Sequence, residues 1–127
     1  MSNRILIIDD DTDFKEAITT LLEVKGYSVI TADSGKEGIK RARQDKPGLI
    51  LLDVVMSYRT EGLDIARELS GDTEAGDIPV ILTTGIRREM NLSFSLEPDD
   101  KTLPVKAVLE KPIKPETLLK EISKHIK

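Results

Sequence analysis

Ile5-Leu6-Ile7-Ile8-Asp9-Asp10-Asp11 and Leu49-Ile50-Leu51-Leu52-Asp53 are the two stretches that decide the fold. Continuous apolar runs of this length read as strands covered on both faces, the condition of a parallel sheet. Open α/β sheets carry their chemistry beyond the carboxyl ends of such strands. Asp9, Asp10 and Asp53 would therefore meet at one edge of the sheet. Carboxylates brought so close repel one another, and a hard divalent cation bound through oxygen is the natural compensation.

Outward from these runs, strands alternate with helix-period segments, the pattern of βα units. Phe14, Ala17, Ile18, Leu21 and Leu22 recur at helical spacing, with Gly26 as a stop. Tyr27 to Thr31 reads as a second strand, and Ser34 with Glu37 has capping-box form ahead of Ile39 and Ala42. Pro47-Gly48 ends that helix. Beyond the strand delivering Asp53, a polar loop covers 57–61, and Leu63, Ala66 and Leu69 predict a short third helix. A turn-rich stretch from Gly71 to Asp77 follows. Pro79 to Leu82 and Ala107 to Leu109 predict the fourth and fifth strands, and a last helix starts at Pro115 and buries Leu118, Leu119, Ile122 and Ile126. Between Ile86 and Lys106, Met90, Leu92, Phe94 and Leu96 alternate with period two, and Pro98 and Pro104 interrupt. A short helix followed by loop is expected there.

Composition narrows the function. The 127 residues suffice for one core, so a single domain over 1–127 is expected. Without cysteine there is neither a disulfide framework nor a thiolate metal site. The apolar runs fall far short of the roughly 20 residues that span a bilayer, and the first is too short for a signal peptide, so a cytoplasmic protein is expected. Nineteen Lys and Arg against 23 Asp and Glu give a formal net charge of -4. That balance, with only Phe14, Tyr27, Tyr58 and Phe94 for stacking, speaks against direct nucleic-acid binding.

Four stretches, each at a strand end, together resemble the signature of bacterial response-regulator receiver domains: the run ending in Asp9-Asp10-Asp11, the run ending in Asp53, Pro79-Val80-Ile81-Leu82-Thr83-Thr84-Gly85, and Leu109-Glu110-Lys111-Pro112. The resemblance covers essentially the whole chain. It implies a flavodoxin-like α/β/α sandwich whose five-stranded parallel sheet runs in the order 2-1-3-4-5, an order for which the type example is itself a receiver. The region of the fourth helix is atypical here. The implied function is a signalling one, not that of an enzyme in the ordinary sense: Asp53 accepts a phosphoryl group from a sensor histidine kinase or phosphotransfer protein, and a conformational change reaches a downstream protein.

The resemblance also assigns roles. Asp53 is the phosphoacceptor. Mg²⁺, or Mn²⁺ in its place, would be bound by Asp10 and Asp53 directly, by Asp9 directly or through water, and by the backbone carbonyl of Val55. Lys111 would hold a phosphoryl oxygen and pair with Asp53 before phosphorylation. The Thr84 hydroxyl and the Gly85 N–H would take the remaining oxygens, and Gly85 admits a close backbone approach. Thr84 is preferred to Thr83 because side chains alternate along a strand and because the family places this hydroxyl five residues after the proline. The Lys111-Pro112 bond is expected to be cis, as in the family.

Plainer readings stand beside these. Asp11 or Thr12 suits a helix N-cap, and His125, in the last helical turn, suits a surface cation. Met56 and Phe94 read as packing residues. An aspartyl-phosphate phosphatase would carry a second aspartate at Val55, and its threonine or valine beyond Asp9 and Asp11 is replaced by Asp13. An EF-hand loop fails at Phe14 and Thr20, where glycine and glutamate belong. A flavodoxin would need a phosphate loop in place of the acids. The serious alternative is a receiver-like interaction module that works without phosphorylation.

Ser57 replaces the family's usual proline, Gly62 comes one position late, and Val108 stands where an aromatic switch residue is usual. These departures touch output, so the switch is expected to be muted or moved to 87–102, where Met90, Leu92, Phe94 and Leu96 could dock a partner or a second copy of the chain. No effector domain is read within these 127 residues, so the chain is expected to be either a stand-alone receiver or a fragment of a longer regulator. Val55 and Ile86 occupy the two positions that flank the path of attacking water in receivers, and neither can orient it. The phosphoryl group should therefore persist, and Val55→Asn with Ile86→Glu should shorten its lifetime, as followed by loss of phosphoprotein mass. An unchanged or longer lifetime would contradict this.

Overall fold

The structure is a computed structural model that describes residues 3–53, 61–84 and 105–126, with the backbone alone for 61–63. Five strands, β1 (Arg4–Ile8), β2 (Ser28–Ala32), β3 (Leu49–Asp53), β4 (Val80–Thr84) and β5 (Ala107–Glu110), alternate with α1 (Thr12–Val24), α2 (Gly35–Asp45), α3 (Glu61–Ser70) and, after β5, α4 (Pro115–Ser123). All strand pairs are parallel and the sheet order is β2-β1-β3-β4-β5, as the resemblance implied. The expectation for 86–106 lies outside the described residues except at Val105 and Lys106. There the Lys106 N–H donates to the Val80 carbonyl and starts β5.

Strand alternation sorts the apolar runs onto two faces. Leu6, Ile8, Ile50, Leu52, Val80 and Leu82 share a core with Ile39, Ala42, Ala66 and Leu69 of α2 and α3. Ile5, Ile7, Leu49, Leu51 and Ile81 share the other with Ile18 and Leu22 of α1 and Leu118, Ile122 and Ile126 at the C-terminal helix. These are the three layers expected of the sandwich. Both cores need every residue of the runs, which is why the runs have no polar interruption before their terminal aspartates.

The helix ends follow local chemistry. The Asp11 carboxylate accepts from the Phe14 N–H at 3.1 Å and opens α1, and Gly26, with φ of +93°, turns the chain after it. Ser34 Oγ accepts from the Glu37 N–H at 3.2 Å and opens α2. Pro115 occupies the first turn of α4. Asp72 accepts from the N–H groups of Glu74 and Ala75 and from the Arg43 guanidinium. Those donors, the Glu74 N–H foremost, hold its carboxyl below the usual carboxylate range and order the turn ahead of β4.

Some expectations shift. β2 begins one residue late, and β4 starts at Val80 because Pro79 has no N–H for the ladder, although its carbonyl accepts from Ile50. Ala17 is exposed, and Lys15 takes the buried place beside Ile18 and Leu22. Positions 15, 18 and 22 share one helix face, so the Lys15 stem lies on the core while its ammonium pairs with Asp33.

The seat of α2 on β1 leaves no room at Gly38. A Cβ there would lie 2.7 Å from Ile8 Cγ1 and closer still to Cδ1, and Ile8 is fully buried. Gly38→Val should cost about 2 kcal/mol by overpacking, read as a lower urea midpoint at unchanged slope. A midpoint equal to that of the unmutated chain would contradict this seating.

Candidate functional site

The parallel sheet ends its strands at one edge, and each central strand delivers a polar group as its apolar run stops. β1 runs into Asp9 and Asp10, β3 ends on Asp53, β4 ends on Thr84, and β5 runs into Lys111. Asp9 and Asp53 are buried and Asp10 is exposed, and one carboxylate oxygen from each lies within 4.8 Å of the others. This confirms that the aspartates placed at separate strand ends come together in space.

Asp9 is fully buried and held from several directions. Its backbone N–H donates to the Ala32 carbonyl at 3.1 Å and continues the β1–β2 ladder one residue past the strand. Its Oδ1 accepts from the Asp11 N–H at 2.9 Å, and its Oδ2 accepts from Lys111 Nζ at 2.8 Å. A fully buried carboxylate requires such partners. Lys111 Nζ also lies 3.9 Å from Asp53 Oδ1. The ammonium thus serves both buried aspartates, with Asp9 as the nearer partner where the resemblance named Asp53. Both carboxylates are buried, Asp9 fully and Asp53 to 7% exposure, so a shared ammonium offsets charge on each.

Lys111 is placed by its backbone. Its N–H donates to the Thr84 carbonyl at 2.6 Å, which ties the end of β5 to the end of β4. The Lys111-Pro112 bond is cis, as expected. Phe14, on the first turn of α1, puts its ring 4.0 Å from Lys111 Nζ. Periodicity marked Phe14 only as an apolar position, and no signal in the sequence links it to a residue so distant along the chain.

Thr84 is buried, and among the described residues its Oγ1 has no hydrogen-bond partner. Thr83 pairs in register with Asp53, so Thr84 stands one residue further toward the edge on the neighbouring strand. A buried hydroxyl without a partner is costly unless a ligand supplies one. Val55 and Gly85, the remaining sequence-derived site residues, lie outside the described residues. His125 is only partly buried and follows α4, so it plays no part at this edge.

Chemically, three carboxylates and one ammonium meet at a sheet edge where β4 also ends on the buried Thr84. Oxygen ligands in this number suit a hard divalent cation, and the ammonium and hydroxyl suit a tetrahedral oxyanion beside it. Among the described residues no helix is long and apolar enough to cross a membrane.

The comparisons agree with this architecture. The chain is 37% identical over 120 residues to Protein PilH of Pseudomonas aeruginosa, covering 94% of each chain. It is 38% identical over 84 residues to the response regulator MprA of Mycobacterium tuberculosis, a match that spans 66% of this chain and 35% of MprA. The CheY-like response regulator receiver domain protein of Methanospirillum hungatei superposes with a TM-score of 0.79 at 28% identity, over 98% of this chain and 93% of that one. The family description of the response regulator receiver domain matches residues 5–123. The chain belongs to the response regulator receiver domain family, whose members accept phosphoryl groups in two-component signalling.

Proposed function

We propose that the chain, as one receiver unit over 1–127, takes a phosphoryl group onto Asp53 from a sensor histidine kinase or a phosphotransfer protein. The observation that carries this reading is the placement of Lys111 Nζ, 2.8 Å from Asp9 and 3.9 Å from Asp53, at the same sheet edge as the partnerless Thr84 hydroxyl. A carboxylate can attack phosphorus only if the charge on both reactants is offset where the bond forms.

An Asp53 oxygen attacks the phosphorus while the bond to the donor's nitrogen or oxygen breaks, and the donor leaves with that electron pair. Lys111 turns its ammonium to a phosphoryl oxygen. The Thr84 hydroxyl donates to a second oxygen, and the Gly85 N–H completes the set. Asp9, Asp10, Asp53 and the Val55 carbonyl are the groups that would hold Mg²⁺ or Mn²⁺, and the fit rests on the three clustered carboxylates. A divalent ion bound there supplies the positive charge that lets an anionic acceptor approach an anionic donor. The chain in this way assists its own phosphorylation without being an enzyme acting on a separate substrate.

Acetyl phosphate supplies a test that needs no partner protein. With Mg²⁺ present, intact-mass measurement should find one phosphoryl group on the chain, and chelation of the metal should abolish its uptake. Asp53→Asn should take up none. Equal modification of Asp53→Asn would refute the assignment, and an unmodified wild-type chain would favour the interaction module that works without phosphorylation.

A further inference from the structure

We infer that Phe14 is a positioning residue: the face of its ring confines the Lys111 ammonium so that it reaches a phosphoryl group on Asp53. This rests on the reading of Lys111 as the cation that binds a phosphoryl oxygen. Among the described residues Lys111 Nζ lies beside Asp9 Oδ2 at 2.8 Å, Asp53 Oδ1 at 3.9 Å and the Phe14 ring centroid at 4.0 Å. Its side chain is 19% exposed, so the ring closes part of the route by which a long, flexible side chain would otherwise swing into water.

The choice of an aromatic here has a physical logic. A ring face attracts a cation through its quadrupole, yet it carries no charge and accepts no strong hydrogen bond. It can restrain the ammonium without competing with a phosphoryl oxygen for its protons. A carboxylate at this position would draw the ammonium away, and an aliphatic side chain would pack against the stem while offering the charge nothing.

Phe14 is also well anchored for the task. Its N–H is bound by the Asp11 cap, and its ring packs, partly buried, against the core between the sheet, α1 and α4. Asp9 and Asp10 precede the same helix by a few residues. The β1–α1 junction therefore fixes the ring and two of the carboxylates as one body, and Lys111 arrives between them from the end of β5.

The rival explanation is that Phe14 only fills the core, and Phe14→Leu separates the two because it keeps an apolar side chain and removes the ring. In proton NMR of the wild type, the ε-methylene protons of Lys111 should be shifted upfield by the ring. The shift should persist in Phe14→Tyr and vanish in Phe14→Leu. Phosphorylation by acetyl phosphate at saturating Mg²⁺ should slow by about three- to tenfold in Phe14→Leu, the range a cation–π contact of this exposure supports, and recover to within about twofold in Phe14→Tyr. Mg²⁺ affinity should stay at the wild-type value in both. Lys111 protons unshifted in the wild type would overturn the inference whether or not the variants fold. So would a Phe14→Leu chain phosphorylated at the wild-type rate, or a Phe14→Tyr chain as slow as Phe14→Leu. A wild-type chain that accepts no phosphoryl group would instead remove the proposed function, and the role of Phe14 with it.

Discussion

The contact between the Lys111 ammonium and the buried Asp9 carboxylate holds together the edge on which everything else depends. Asp9 is fully buried, so its charge is tolerable only with close partners, and among the described residues Lys111 and the Asp11 N–H are bound to its carboxylate. Breaking one partner of a buried ion pair typically costs about 3–5 kcal/mol, whereas an exposed pair is worth under about 1 kcal/mol. By that measure this pair outweighs the exposed pair of Lys124 with Glu121. Because Lys111 is tied through its backbone to Thr84, the ion pair also fixes the end of β5 against β4. The carboxylates, the cation and the buried hydroxyl are thereby set in one frame.

Stability and chemistry pull against each other in this pocket. A fold selected only to persist would place apolar groups at the buried positions of Asp9 and Asp53, and would not leave the Thr84 hydroxyl without a partner among the described residues. Features that cost stability and stay local to one sheet edge are those expected of a binding site. The rest of the molecule compensates through two apolar cores, one on each face of the sheet, and through close packing such as that of Gly38 on Ile8.

Much of this was legible in the chain. Strands buried on both faces must be written as unbroken apolar runs, so β1, β3 and β4 announce themselves, and the polar residue that ends each run announces the site. Strand alternation and the spacing from Pro79 are what separate Thr84 from Thr83 in the chain, and Thr84 is the residue on which β4 ends. What the chain does not spell out is contact between distant side chains. The sharing of Lys111 between Asp9 and Asp53 depends on where the end of β5 brings its ammonium, and the ring of Phe14 over that ammonium depends on the angle at which α1 leaves the sheet. Lys15 was hidden for a related reason: a long stem can lie on a core face and still bring its charge to Asp33, so periodicity alone places Ala17 there instead. Val108 is partly buried against the core shared with α2 and α3, where a small branched side chain fills space without offering the rotation of an aromatic.

Central to the proposed function is that Lys111 and Thr84 both reach a phosphoryl group on Asp53. A crystal structure of the chain with Mg²⁺ and beryllofluoride, which mimics the phosphoryl group, tests it directly. The expected result is beryllofluoride on Asp53, with Lys111 Nζ and Thr84 Oγ1 each within about 2.7–3.2 Å of one of its fluorines and the metal on Asp10 and Asp53. Beryllofluoride bound to another carboxylate, or Lys111 still on Asp9 with the Thr84 hydroxyl unpartnered beside an occupied Asp53, would contradict it.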